Sequence, residues 1–216
     1  MMVNYVFHQG GNTYGLQFEL WKKQLLSDGQ TAWVHVFDGD KQCLTRIGVE
    51  CSLPQCMQLI PEGLVLEFGV ASGKSALELA SSGRKLYGFD WWGGLPHNWN
   101  DSDRRGYLKC EKPVLPGNIE LIEGLFSDTL EDFLLAHSGP VALVHVDCDL
   151  FCSALYVLNC LKGRFIKGSI IAFDEIDVEF ALGELQAWTR YLHENPEQNW
   201  QLLGKQHQFG EVYRLA

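Results

Sequence analysis

Lysine and arginine are scarce and scattered in this chain: 17 stand against 27 aspartates and glutamates in 216 residues, a formal charge of −10. The densest basic spots, Lys22-Lys23, Arg84-Lys85 and Arg104-Arg105, are isolated doublets. Binding to phosphate backbones depends on clustered cations that release counterions, so neither nucleic acid nor an anionic membrane is an expected partner. No run approaches the roughly 18 apolar residues of a membrane span. The opening residues, MMVNYVFHQGG, lack the charged start and long apolar core of a secretory signal, and a cytoplasmic location is expected. The cysteines (Cys43, Cys51, Cys56, Cys110, Cys148, Cys152 and Cys160) are odd in number and never spaced C-x-x-C, which argues against a complete disulfide framework and a zinc ribbon. They read as reduced thiols, several of them core hydrophobes. Internal repeats and low-complexity linkers are also lacking. What is present is an ordinary globular composition, 46% apolar and 20% charged. Its length suits one α/β core plus an appendage.

Residues 63 to 175 alternate short β-branched apolar runs with helical patterns, the sign of a parallel sheet covered on both faces. The runs are 64–68, 85–90, 119–122, 141–147 and 168–174, with candidate helices at 74–82, 128–137 and 153–163. Three of the five runs end in Asp, and a fourth carries Glu67 near its end. Ligands of open α/β sheets bind outside the carboxyl ends of the strands, so these acids are expected to share one crevice. A long amphipathic stretch follows from Phe180 to Leu192, and the final runs 200–203 and 211–215 read as a hairpin. Within 1–62, read as an N-terminal appendage to a 63–216 domain, residues 16–26 suit a helix. Residues 31–37 and 43–49 suit a hairpin turning at Asp38-Gly39-Asp40, a better reading of that triplet than a calcium loop.

The sharpest signal is Glu67-Phe68-Gly69-Val70-Ala71-Ser72-Gly73-Lys74-Ser75, set between a strand and a helix. Its glycines permit a tight turn and close backbone approach to a ligand, and free amides at the next helix start offer donors. A phosphate-binding P-loop, G-x-x-x-x-G-K-[ST], shares the ending Gly73-Lys74-Ser75, and the run to Asp174-Glu175 resembles the acidic strand of such nucleotide hydrolases. Only three residues separate Gly69 from Gly73, one too few for that loop. The pattern acid-x-Gly-x-x-x-Gly fits instead, and Asp90, ending the next run, stands where a carboxylate can accept two hydrogen bonds from neighbouring ribose hydroxyls. A cofactor-binding module without catalysis would keep the same residues.

This pattern resembles motif I of the class I S-adenosylmethionine-dependent methyltransferases. Gly88-Phe89-Asp90-Trp91-Trp92-Gly93-Gly94-Leu95-Pro96, Gly124-Leu125-Phe126-Ser127-Asp128-Thr129-Leu130, His145-Val146-Asp147-Cys148-Asp149-Leu150-Phe151 and Gly168 to Glu175 are similar to ordered segments of the macrocin-type O-methyltransferases. The resemblance implies a Rossmann-like, doubly wound, mostly parallel seven-stranded sheet with an antiparallel last strand. It implies that Glu67, Gly69, Val70, Ala71, Ser72, Gly73 and Ser75 surround the methionine part of S-adenosylmethionine, with Glu67 near the ammonium group. Asp90 is then on the ribose, Trp91, Gly124 and Phe126 beside the adenine, and Asp147 at the reacting end. It further implies Mg²⁺ held by Asp147, Asp174 and Glu175, an oxygen-only set, although Glu175 departs from the Asp or Asn of the pattern. The implied partner is a small hydroxylated acceptor such as a sugar or natural product, with a homo-oligomer allowed.

Asp149, just past a strand and beside the implied metal, is a candidate base alongside Asp147 as the second catalytic acid; its other reading is an N-cap for the following helix. His145, alternating with Val144 and Val146, reads as a satisfied core histidine. Trp91 suits either adenine stacking or packing, while Trp92, Trp99 and His97 suit the wall of an acceptor pocket. Cys148 and Cys152 lack further ligands nearby, and Lys74 reads as a solvated residue at a helix start.

Overall fold

The computed structural model describes residues 5–9, 32–38 and 41–47 as backbone, and 50–99, 103–176, 183–207 and 209–216 in full. Seven strands form the main sheet: β4 (Leu64–Phe68), β5 (Leu86–Asp90), β6 (Ile119–Glu123), β7 (Val141–Val146), β8 (Phe165–Phe173), β9 (Trp200–Lys205) and β10 (Glu211–Leu215). Their order is β6-β5-β4-β7-β8-β10-β9. The pairs from β6 to β8 are parallel, and β10 runs antiparallel to both its neighbours. The chain winds outward from β4 to one edge, then returns to β7 and winds to the other. The order therefore reverses between β4 and β7, where their carboxyl ends leave a crevice.

Helices α1 (Leu53–Leu59), α2 (Lys74–Ala80), α3 (Phe126–Ala136), α4 (Phe151–Leu161) and α5 (Gly183–Glu194) flank the sheet. Side chains of a strand alternate between faces, and the sheet accordingly feeds two cores. Leu66, Phe68, Val144, Val146, Ile171 and Phe173 pack with Leu130, Val157 and Trp188 of α3, α4 and α5. Val65, Leu143, Ile170 and Ala172 pack with Leu53 and Cys56 of α1 and with Ala76 and Leu79 of α2. Every residue of β7 is buried, which explains its unbroken apolar run apart from His145.

Helix α1 was not anticipated, because seven residues carry little periodic signal. Gln55 Oε1 accepts the Ser52 N–H at 2.8 Å and Pro54 occupies the first turn, so local capping sets its start. Its burial against β4 and β8, and the pairing of Glu50 with Lys205, tie the chain from residue 50 onward into the main unit, ahead of the expected edge at 62. The amino-terminal part forms a separate three-stranded sheet, β1 (Tyr5–Gln9), β2 (Ala32–Asp38) and β3 (Lys41–Ile47). Strands β2 and β3 are the expected hairpin, with Asp38 opposite Lys41. Strand β1 pairs in parallel with β2, a contact between distant residues that no local pattern announces. The expected helix at 16–26 lies outside the described residues. No helix among the described residues is long and apolar enough to cross a membrane.

Candidate active site

The crevice opens into a cavity of about 760 Å³ at the carboxyl ends of β4 to β8, within the size range of small-molecule sites. One wall is made by the turn after β4. Gly69 has φ 94° and its N–H donates to Phe89 O at 2.9 Å, while the Asp147 N–H donates to Phe68 O at 2.9 Å. A Cβ at Gly69 would overlap the Asp147 carbonyl oxygen, so only glycine lets the two strand ends approach this closely. Gly73, at φ 87°, opens α2. Asp90 stiffens the turn from the next strand: its Oδ2 accepts Val70 N–H at 3.0 Å and Ala71 N–H at 2.8 Å, and its Oδ1 accepts Trp92 N–H at 2.9 Å.

The opposite wall is acidic. Asp147 is held well above the usual carboxylate range by burial, then by the charges of Asp174, Glu184, Asp149 and Glu67. Asp149, in the left-handed region at φ 59°, is pushed up to about 7 by burial and by the neighbouring Glu175 and Asp174 charges. Burial and Asp174 also raise Glu175. Asp174 goes the other way: burial raises it, but the His207 bond at 2.9 Å and the charges of His145, His207 and Lys74 outweigh burial. Glu184 of α5 gathers this wall. Its Oε1 accepts the N–H groups of Cys148 (3.0 Å) and Asp149 (3.3 Å), its Oε2 accepts that of Glu175 (3.2 Å), and burial pushes it up to about 8.

Of the sequence-predicted residues, the cavity brings together Gly69, Ala71, Asp90, Trp91, Gly124, Phe126, Asp147, Asp149 and Glu175. Val70, Ser72 and Gly73 belong to the turn and Ser75 to the start of α2, and none of them lines the cavity; Val70 and Gly73 are buried beneath, and Ser72 faces solvent. Glu67 does not line the cavity. It sits opposite His145 in the β4–β7 register, fully buried, with Oε1 at 3.0 Å from His145 Nδ1. The oxygen-only trio is not assembled either: the residues whose ligand atoms lie within 4.8 Å of one another are His145, Asp147 and Asp174, while Glu175 turns to the cavity. The N-cap of α4 is Leu150, without a side-chain bond, so Asp149 has no capping role. Trp92 corrects another expectation, because it is buried and donates Nε1–H to Ala71 O at 2.9 Å beneath the turn; Trp99 and His97 do line the cavity.

Glu184 was missed. Its signal was an acid sharing a helical face with Ala187, Trp188 and Tyr191, all buried on α5; an acid at an apolar position needs partners that the sequence alone does not name.

The sheet order, the glycine turn at the switch point and the acid-lined crevice together define a class I, S-adenosylmethionine-dependent methyltransferase. A model of the methyltransferase domain family matches residues 66–176, and the chain belongs to that family. Nothing supports a P-loop hydrolase. No curated protein sequence matches the chain. Among solved structures, it is similar to CalS11, a calicheamicin methyltransferase, with a TM-score of 0.60 and 23% identity over 75% of each chain. The O-methyltransferase NovP matches with a TM-score of 0.60 and 17% identity over 75% of this chain and 77% of that one. An O-methyltransferase of Bacillus cereus in complex with S-adenosylhomocysteine gives 0.51 and 16%, over 76% of this chain and 78% of the other. At these identities the likeness is one of fold.

Proposed function

We propose that this enzyme transfers the methyl group of S-adenosylmethionine to an oxygen of a small hydroxylated molecule, such as a sugar or a natural product. The observation that carries the reading is the single cavity that joins the glycine turn, Asp90 and Trp91 at one end to Asp147, Asp149 and Glu175 at the other. It has room for cofactor and acceptor together, which an in-line displacement requires. Two cavity residues support a hydroxyl-bearing acceptor. Trp99 Nε1–H is a buried donor and Glu175 Oε2 a buried acceptor, both without partners among the described residues, and a hydroxyl both donates and accepts.

In the reaction the acceptor oxygen attacks the methyl carbon, the carbon–sulfur bond breaks with its electron pair going to sulfur, and the hydroxyl proton leaves. Asp149, with its carboxyl poised at about 7, is the group we assign to receive that proton. Gly69 and Ala71 line the methionine end, Asp90 keeps acceptor capacity for ribose hydroxyls, and Trp91, Gly124 and Phe126 surround the base. A divalent cation fits the donor chemistry of Asp147 and Asp174 and, when bound, lowers the pKa of an acceptor hydroxyl. Calorimetry with S-adenosylhomocysteine, followed by methyl transfer to a panel of sugars and polyhydroxylated aromatics, tests the reading. Binding in this cavity with transfer to oxygen is expected. Failure to bind S-adenosylhomocysteine would sink it.

A further inference from the structure

His145, Asp147 and Asp174 converge where β7 and β8 end, on the sheet face that also carries Glu67. His145 and Asp147 are two residues apart and so share a face, and Asp174 follows β8, whose Ala172 lies opposite His145. Each residue offers one ligand atom, and these atoms all lie within 4.8 Å of one another. One ion with bonds of about 2.0–2.2 Å reaches atoms up to about 4.4 Å apart, so small side-chain rotations close such a set around it. Glu67 stands behind the imidazole, with Oε1 at 3.0 Å from Nδ1 and both side chains fully buried. Metal-bound histidines regularly give their second ring N–H to a carboxylate, which fixes the tautomer and turns the other lone pair toward the ion. Gln206 agrees with that tautomer: its amide nitrogen lies 3.4 Å from His145 Nε2, as a donor facing a lone pair.

We infer that the metal donors of this chain are His145 Nε2, Asp147 and Asp174, that Glu67 orients the imidazole, and that the site prefers Mn²⁺ to Mg²⁺. This rests on the metal-assisted reading of the same crevice and departs from the acid-only set implied by resemblance, since the Glu175 carboxyl stands outside the cluster. The metal preference follows from the donor chemistry. Mg²⁺ favours oxygen and water, whereas an imidazole nitrogen suits transition ions. Two contacts give way on binding, Gln206 to His145 and His207 to Asp174, both from the segment after β9.

The test uses the full chain, stripped of metal by chelation and loaded with Mn²⁺ alone. Electron spin echo modulation is recorded with natural-abundance protein and with ¹⁵N-histidine protein. Histidine nitrogen coupling that changes isotope pattern on labelling is expected, with Mn²⁺ bound at least about tenfold more tightly than Mg²⁺ by calorimetric competition. Glu67→Gln weakens Mn²⁺ binding about 10–100-fold, whereas Glu175→Gln changes it less than about twofold. Labelling needs no substitution, so the result does not depend on variants that fold. Bound Mn²⁺ without histidine coupling, binding lost in Glu175→Gln but kept in Glu67→Gln, or no Mn²⁺ binding at all would each overturn the assignment. S-adenosylhomocysteine calorimetry on the metal-free protein separates the two readings. If it binds while the metal result fails, only the donor set is wrong; if it does not bind, the cofactor crevice itself is wrong.

Discussion

The two walls of the cavity are built by opposite means. The turn after β4 is a backbone device: Gly69 and Gly73 supply the conformations, and the single carboxylate of Asp90 ties Val70, Ala71 and Trp92 by their N–H groups. The wall after β7 and β8 is a side-chain device. Asp147, Asp149 and Glu175 crowd together there, all raised by burial and neighbouring charge, with Glu184 reaching in from α5 to hold the loops. The first wall has its donors satisfied and is shaped before any ligand arrives. The second holds mutually repelling acids, an arrangement suited to proton transfer and to cations.

Substitutions at the two walls should therefore fail differently. Asp149→Asn is expected to cut methyl transfer about 10²–10⁴-fold with little change in S-adenosylhomocysteine affinity. In the parent enzyme the rate should rise with pH through about 7 as Asp149 loses its proton, and the variant should lose that limb; a retained limb in a pH–rate profile assigns the base elsewhere. Glu184→Ala leaves three backbone N–H groups, that of Cys148 buried and those of Asp149 and Glu175 partly buried, without their acceptor. At about 1–3 kcal/mol for each unsatisfied group, urea denaturation should register a loss of several kcal/mol.

Glu184 also imposes a pH dependence. Its folded-state pKa of about 8 lies above the ordinary 4.5, so between these values the folded state holds a proton that the unfolded state has released. Its contribution to stability is therefore full below about 4.5 and is lost as pH rises toward 8. Melting temperatures of Glu184→Gln across that window should fall less steeply than those of the parent; parallel curves would refute the assignment. Gly69→Ala probes the other wall. The overlap with the Asp147 carbonyl and a non-glycine φ of 94° should weaken S-adenosylhomocysteine binding about 10–100-fold in calorimetry. The smallest effect belongs to Trp99→Phe, which removes a buried N–H that has no partner among the described residues. Stability should stay within about 0.5 kcal/mol while the acceptor KM rises several-fold, and an unchanged KM would detach Trp99 from the acceptor.

The same contrast governs what was legible in the sequence. The sheet, its order of runs and the glycine turn were readable because they rest on local chemistry: alternating β-branched runs, a glycine at a forced φ, an acid closing the next strand. Asp90 was readable as a residue of the crevice, but its bracing of Val70 and Ala71 was not, since nothing in spacing distinguishes a carboxylate that faces a cavity from one that faces its own backbone. The second wall depends on which residues meet across strands. Glu67 and His145 lie 78 positions apart in sequence and become partners only through the β4–β7 register. His145 looked like a core histidine, and it is buried; the cluster beside Asp147 and Asp174 needed the third dimension. Trp92 and Trp99 were indistinguishable in composition, and only burial separated the brace from the wall.

The long connection from Trp91 to Asn118 has no helix among its described residues, though it supplies Pro96, His97, Trp99, Tyr107 and Leu108 to the cavity. Its shape is held by isolated bonds, such as Leu95 N–H to Tyr107 O at 2.8 Å and Arg105 N–H to Asn98 Oδ1 at 2.9 Å. A wall of turns has no helical ladder to break and does not set the register of any strand. Divergence among descendants of this chain should accumulate there first, changing which acceptor is admitted while the turn after β4 and the acids after β7 stay as they are.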